Sequence, residues 1–105
     1  MNAQGFYLGS CPSVLYAGKG MIGGQPPIGD GPDGRYKHLN EPRRGRVVVL
    51  ERSTFNVIAS VLSDNNGVWI VRGLSPDYRY MVIGVDGSGK VNAAIQDWVT
   101  PYVAP

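Results

Sequence analysis

The chain has one cysteine, Cys11, and one histidine, His38, among its 105 residues. A single cysteine excludes an intramolecular disulfide, and a single histidine excludes a His-based metal cluster; Cys11 alone cannot build a thiolate zinc site. Cys11 in "GSCPS" reads as an inert thiol, with an intermolecular disulfide or a reactive thiol as alternatives. Charge is also scarce. Charged residues make up 17% of the chain, below the roughly 25% usual for soluble domains. The net charge of +2 argues for neither a nucleic-acid nor a membrane partner. No apolar run approaches the roughly 20 residues that span a bilayer. A basic stretch followed by an apolar one, as in a secretory signal, is missing from the first residues. The expectation is a chain made in a reducing cytoplasm, with no membrane and no cofactor.

What the chain has in excess is glycine, 15 residues, and proline, 8 residues. Both are poor in helix interiors, which favours an all-β or loop-rich fold. They are unevenly spread: residues 1–45 hold ten of the glycines and five of the prolines. That half carries no sustained period of 3.6 or 2, so neither an amphipathic helix nor a regular sheet is written there. It is nonetheless studded with Phe6, Tyr7, Leu15, Tyr16 and Ile22, residues in which solvated linkers are depleted. The expectation is an extended arm over residues 1–45 that docks on a neighbour, "GFYLG" and "SVLYA" each being able to form a brief strand. Packing on its own domain and disorder remain as alternatives.

From Arg46 the chain alternates strand and turn signals. "RVVVLE", "VIASVLS", "VWIVR", "RYMVIGV" and "VNAAIQD" read as strands, and "WVTPYVAP" as a short last one. The separators "RSTFN", "DNNG", "GLSPDY" and "DGSGK" are turn chemistry. Regular spacing of this kind predicts an antiparallel β-sandwich over residues 46–105. In "VWIVR" the alternation puts Trp69 and Val71 on one face, with Leu74 following, and in "RYMVIGV" it groups Tyr80 with Val82. Asp64 is expected to bond amides of its own turn, Gly67 to supply the turn's positive φ, and Trp69 to anchor the core.

Chemistry-bearing motifs are few. "GSGK" at residues 87–90 lacks the Ser or Thr and the helix of a phosphate loop, since Val91 follows in a hairpin. Asp30 and Asp33 in "GDGPDG" read as a turn; a calcium site would need further oxygens. A Cys11–His38 nucleophile pair has no third group to orient it. The basic cluster stands out: between residues 35 and 52, six cations face only Glu41 and Glu51. Arg43, Arg44 and Arg46 at the arm's root suit bidentate docking on a partner's carboxylates. A solvated surface is the next reading, and nucleic acid the least favoured.

The run "VVLERSTFNVIASVLSDNNGVWIVRGLSPDYRYMVIGVDGSG" resembles the carboxypeptidase-regulatory-like and transthyretin-like β-sandwiches. The matching positions are Val48, Leu50, Ser63, Asp64, Gly67, Trp69, Val71, Leu74, Pro76, Tyr80, Val82 and Asp86. Two departures fall at corners: Asp77 follows the proline where Gly is usual, and Phe55-Asn56 replaces a Thr-Gly-type turn. The tail "VDGSGKVNAAIQDWVTP", through Asp86, Gly89, Asn92, Ala93, Asp97 and Pro101, is similar to small bacteriophage proteins carrying this sandwich. The resemblance implies a small Ig-like (transthyretin-like) sandwich with a Gly/Pro-rich N-terminal arm. It further implies a non-enzymatic, tail-associated virion protein that docks on other virion subunits and forms a homo-oligomer in the particle. Alternatives are a capsid decoration (cement) protein, or a receptor- or carbohydrate-binding module at the tail tip using loops 64–67 and 87–90. A transthyretin-like hydrolase needs more histidine than His38 supplies.

Overall fold

The structure is a computed structural model that describes residues 18–26, 28–29 and 34–105. Phe6, Tyr7, Cys11, Leu15, Tyr16, Asp30 and Asp33 lie outside the described residues. The strands are β1 (Gly20–Gly23), β2 (Lys37–His38), β3 (Glu41–Pro42), β4 (Arg46–Glu51), β5 (Val57–Leu62), β6 (Ile70–Leu74), β7 (Tyr80–Val85), β8 (Ala94–Val99) and β9 (Tyr102–Val103). All pairings are antiparallel. One sheet has the order β5-β4-β7-β8, a second β6-β1-β9, and β2-β3 is a separate hairpin.

The two larger sheets bury their facing sides against each other. Val47 and Val49 from β4, Ile58 from β5, and Tyr80 and Val82 from β7 meet Ile22, Trp69, Val71 and Leu74 from the other layer. The alternation that makes this possible is visible in β4, where Val47, Val49 and Glu51 are buried and Val48 and Leu50 are half-buried. Tyr80 and Leu74 are 0% exposed, and each such side chain contributes about 1.5–3 kcal/mol over its exposed state. Polar atoms in this core are paired. Tyr80 O–H donates to the Ser75 carbonyl at 3.0 Å, and Trp69 Nε1–H donates to the Gly34 carbonyl at 2.8 Å.

The "DNNG" stretch turns the chain from one layer to the other, since β5 and β6 lie in different sheets. Asp64 Oδ1 accepts from Asn66 N–H at 2.8 Å and Val68 N–H at 2.9 Å. Gly67 has φ +80°, and a Cβ there would run into the Tyr36 carbonyl. A side chain at residue 67 is therefore barred twice, by backbone conformation and by space.

Two corrections concern the N-terminal half. Ile22 is a core residue of its own domain, 2% exposed, and not a docking residue on an arm. It is held there because β1 pairs with β6 on one side and β9 on the other. Nor does Gly45 mark a boundary between arm and domain. Tyr36 is buried in the same core, its N–H donates to the Gly67 carbonyl at 2.7 Å, and its O–H donates to the Val85 carbonyl at 2.9 Å. Ser63 Oγ ties the following segment down, donating to the Arg43 carbonyl and accepting from Gly45 N–H.

Candidate functional site

The outward side of the four-stranded sheet is apolar. Register places Val48 beside Ile83, Leu50 beside Met81 and Val57, and Ile83 beside Ile95, all pointing away from the core because their neighbours Val47, Val49 and Val82 point in. Val57 is 60% exposed and Ile95 59%. An antiparallel sheet with one solvated side ordinarily carries polar residues on that side. A contiguous exposed apolar surface marks an interaction site.

One end of this side is closed by a stack of three side chains. The Arg52 guanidinium carbon lies 4.4 Å from the Trp98 ring centroid and 5.1 Å from that of Phe55. Asp97 fixes the guanidinium, accepting from Arg52 Nε–H at 2.7 Å. Phe55 and Trp98 are both exposed, and both adopt left-handed backbone, with φ of 60° and 53°. Large side chains are costly in that region, about 1–2 kcal/mol each. Strained residues of this kind concentrate at functional sites. Trp98 owes its conformation to a β-bulge: β7 pairs Tyr80 with Val99 and Val82 with Gln96, so Asp97 and Trp98 together oppose Met81. Phe55 owes its own to the tight β4–β5 turn, where Phe55 N–H donates to the Glu51 carbonyl at 2.8 Å.

That turn is organised by a buried carboxylate. Glu51 is 5% exposed and accepts from Ser53 N–H and Oγ at 2.7 Å and from Thr54 Oγ1 at 3.0 Å. Burial pushes its pKa up, but the hydrogen bonds from Ser53 and Thr54 outweigh this and hold the carboxyl below its ordinary value.

The opposite end of the sheet is basic. Arg43, Arg44, Arg46 and Lys90 line one groove together with Leu62 and Val85. Arg43, Arg44 and Arg46 are all exposed, and Arg46 Nη1–H donates to Ser60 Oγ at 3.3 Å. Asp86 is the carboxylate in that groove, and it is already engaged. It accepts from Ser88 Oγ and from the N–H groups of Ser88, Lys90 and Val91. The hydroxyl and N–H of Ser88 foremost hold it far below the usual carboxylate range. His38 Nε2 lies 3.5 Å from Asp86 Oδ2.

Of the residues singled out from sequence, the structure brings Arg43, Arg44 and Arg46 to one groove. It puts Trp69, Val71, Leu74, Tyr80 and Val82 in the core and Asp64 and Gly67 in the crossover turn. Nothing in the strand pattern alone marks Phe55, Trp98 and Ile95 as surface features. The available signal was an aromatic residue standing at turn position 55, where glycine is the ordinary occupant. Among the described residues no group of three His, Cys, Asp or Glu side chains is placed to hold a metal ion, and no helix is long and apolar enough to cross a membrane. Comparison of the chain with protein-family models, with curated proteins and with solved structures finds no match to any of them.

Proposed function

We propose that the protein is a non-enzymatic docking subunit, a bacteriophage virion accessory protein that binds neighbouring subunits through the outer side of its four-stranded sheet. The carrying observation is the Phe55–Arg52–Trp98 stack beside an apolar row of half-buried Val48, Leu50 and Ile83 and exposed Ile95. Trp and Arg are among the residue types that dominate binding energy at protein interfaces. The basic groove at the other end sets orientation, so the partner surface is apolar with acidic residues at one end. The virion assignment is supported by the resemblance of residues 86–101 to phage structural proteins. Support for an Ig-like, transthyretin-like sandwich comes from Tyr80, whose hydroxyl bonds five residues upstream, the corner device of immunoglobulin sandwiches.

Removal of the chain through residue 44 would take Ile22 and Tyr36 from the core. The decisive test is Ile95→Lys, assayed by co-sedimentation with virus particles. The substituted protein is expected to fold and to be missing from particles; full occupancy would overturn the docking reading.

A further inference from the structure

The inner side of the same four-stranded sheet is not fully covered. Gly84 pairs with Ala94 and Val82 with Gln96, which puts Ala94 and Gln96 on the inward row, yet Ala94 is exposed and Gln96 half-buried. The uncovered strip opens as a cleft of about 160 Å³ floored by Val47, Trp69 and Val82. A cavity of about 150 Å³ accommodates a benzene-sized ring, so the cleft has the room for one. Arg35, His38, Asn92 and Gln96 also line the cleft.

Arg35 carries the chemical signal. Its Nε is buried with no hydrogen-bond partner among the described residues, and its one described bond is long, Nη1–H to the Asn66 carbonyl at 3.4 Å. A buried N–H without an acceptor calls for a partner that the described residues do not supply. Asp86, the carboxylate lining the cleft, is consumed by four donor groups of its own turn. We propose that the cleft binds an aromatic carboxylate, the ring lying on Val47, Trp69 and Val82 and the carboxylate on the Arg35 guanidinium. The terminal N–H groups of arginine form a planar fork that fits a carboxylate bidentately. A dianion such as phosphate is disfavoured by the ionised Asp86 nearby and by the apolar floor. The chemistry has two sources, a free aromatic acid or the C-terminal Phe or Tyr of a peptide. Ile95 lines the cleft as well as the outer row, and His38 and Asp86 line both the cleft and the basic groove; a titration with small molecules and no particles is therefore read apart from the docking reading.

The test is titration of the full-length protein with phenylacetate and N-acetyl-phenylalanine, and with phenylacetamide as the uncharged match, followed at the Trp69 indole N–H resonance. The acids are expected to shift that resonance and to bind about tenfold more tightly than the amide, the worth of one charge-assisted hydrogen bond. Arg35→Gln is expected to erase the difference. Stronger binding of N-acetyl-phenylalanine than of phenylacetate assigns the site to peptide termini, and the reverse assigns it to free acids. Equal affinity of acid and amide for the unsubstituted protein, or no shift of Trp69 at millimolar acid, overturns the proposal. That comparison needs no variant, so it holds even if Arg35→Gln fails to fold.

Discussion

The two sides of the four-stranded sheet are built from nearly the same residue types and differ in what covers them. Val47, Val49, Tyr80 and Val82 face a second sheet and are at most 5% exposed. Val48, Leu50, Met81 and Ile83, one position along the same strands, face away from it and are half-buried at most by their neighbours. Apolarity on the inner side is explained by folding. On the outer side folding does not need it, because valine and isoleucine suit a strand no better than threonine or tyrosine. The difference separates residues kept for the fold from residues available to a partner, and substitutions on each side should part accordingly.

The largest effect is expected inside. Tyr80→Ala removes a ring that is 0% exposed and a hydroxyl bonded to Ser75, and should cost about 3–5 kcal/mol. Chemical denaturation would read this directly, and a loss below about 1 kcal/mol would mean that the core repacks around the gap. Next is Glu51, which belongs to the inward row but serves the turn that holds Phe55. Glu51→Gln should cost about 1.5–3 kcal/mol at neutral pH, the range for charge-assisted hydrogen bonds. The sign with pH follows from the lowered pKa. The ionised carboxylate stabilises the fold fully above the pKa of an unfolded glutamate, and that contribution is lost as pH falls through the folded value. Denaturation midpoints of the two proteins should therefore converge in acid; a constant gap down to low pH would refute the assignment.

How much of this division is legible in sequence depends on which principle governs each segment. In "RVVVLE" and "RYMVIGV" period-2 alternation and β-branched composition agree with the final structure, so the strand bounds Arg46–Glu51 and Tyr80–Val85 are close to those read from residues alone. β1 is the opposite case. "GMIG" has weak strand propensity, and its glycines are there because neighbours come close. A Cβ on Gly20 would lie 2.7 Å from both the Leu74 carbonyl and the Pro101 side chain. Tertiary packing selects those residues, and packing has no local signature. The outer apolar side is hidden in the sequence for a different reason: a strand apolar on both faces looks the same whether a second sheet covers it or nothing in the chain does. Only the topology, with β6-β1-β9 on one side alone, tells the two apart.

Phe55 sharpens the comparison by reversing the usual sign. At φ 60° a glycine is more comfortable than a phenylalanine, so Phe55→Gly is expected to stabilise the isolated domain by up to about 1 kcal/mol. The gain is reduced by the lost contact with Arg52, about 0.5–1 kcal/mol at an exposed site. The same change should weaken attachment to particles, because it removes half of the aromatic clamp around Arg52. A thermal melt and a co-sedimentation assay on one preparation check both halves. Lower stability together with unchanged attachment would make Phe55 a turn residue and nothing more.

The smallest effect on stability, and the most informative, is expected from Ile83→Thr. Ile83 lies in the middle of the outer side, between Val48 and Ile95, on the central strand β7 whose opposite row is core. Threonine keeps the β-branch, so strand propensity is preserved and the change falls within about 0.5 kcal/mol, as for other surface positions. Were the outer side merely solvated, that would be the whole consequence. Under the docking reading the added hydroxyl is buried against an apolar partner without an acceptor, at a penalty of about 1–3 kcal/mol, which is roughly five- to 150-fold in affinity. A protein that melts as before but leaves particles under-occupied places Ile83 in a contact that folding does not require. If stability and occupancy both stay unchanged, the apolar side has no partner at residue 83, and the docking surface contracts to the Phe55–Arg52–Trp98 stack.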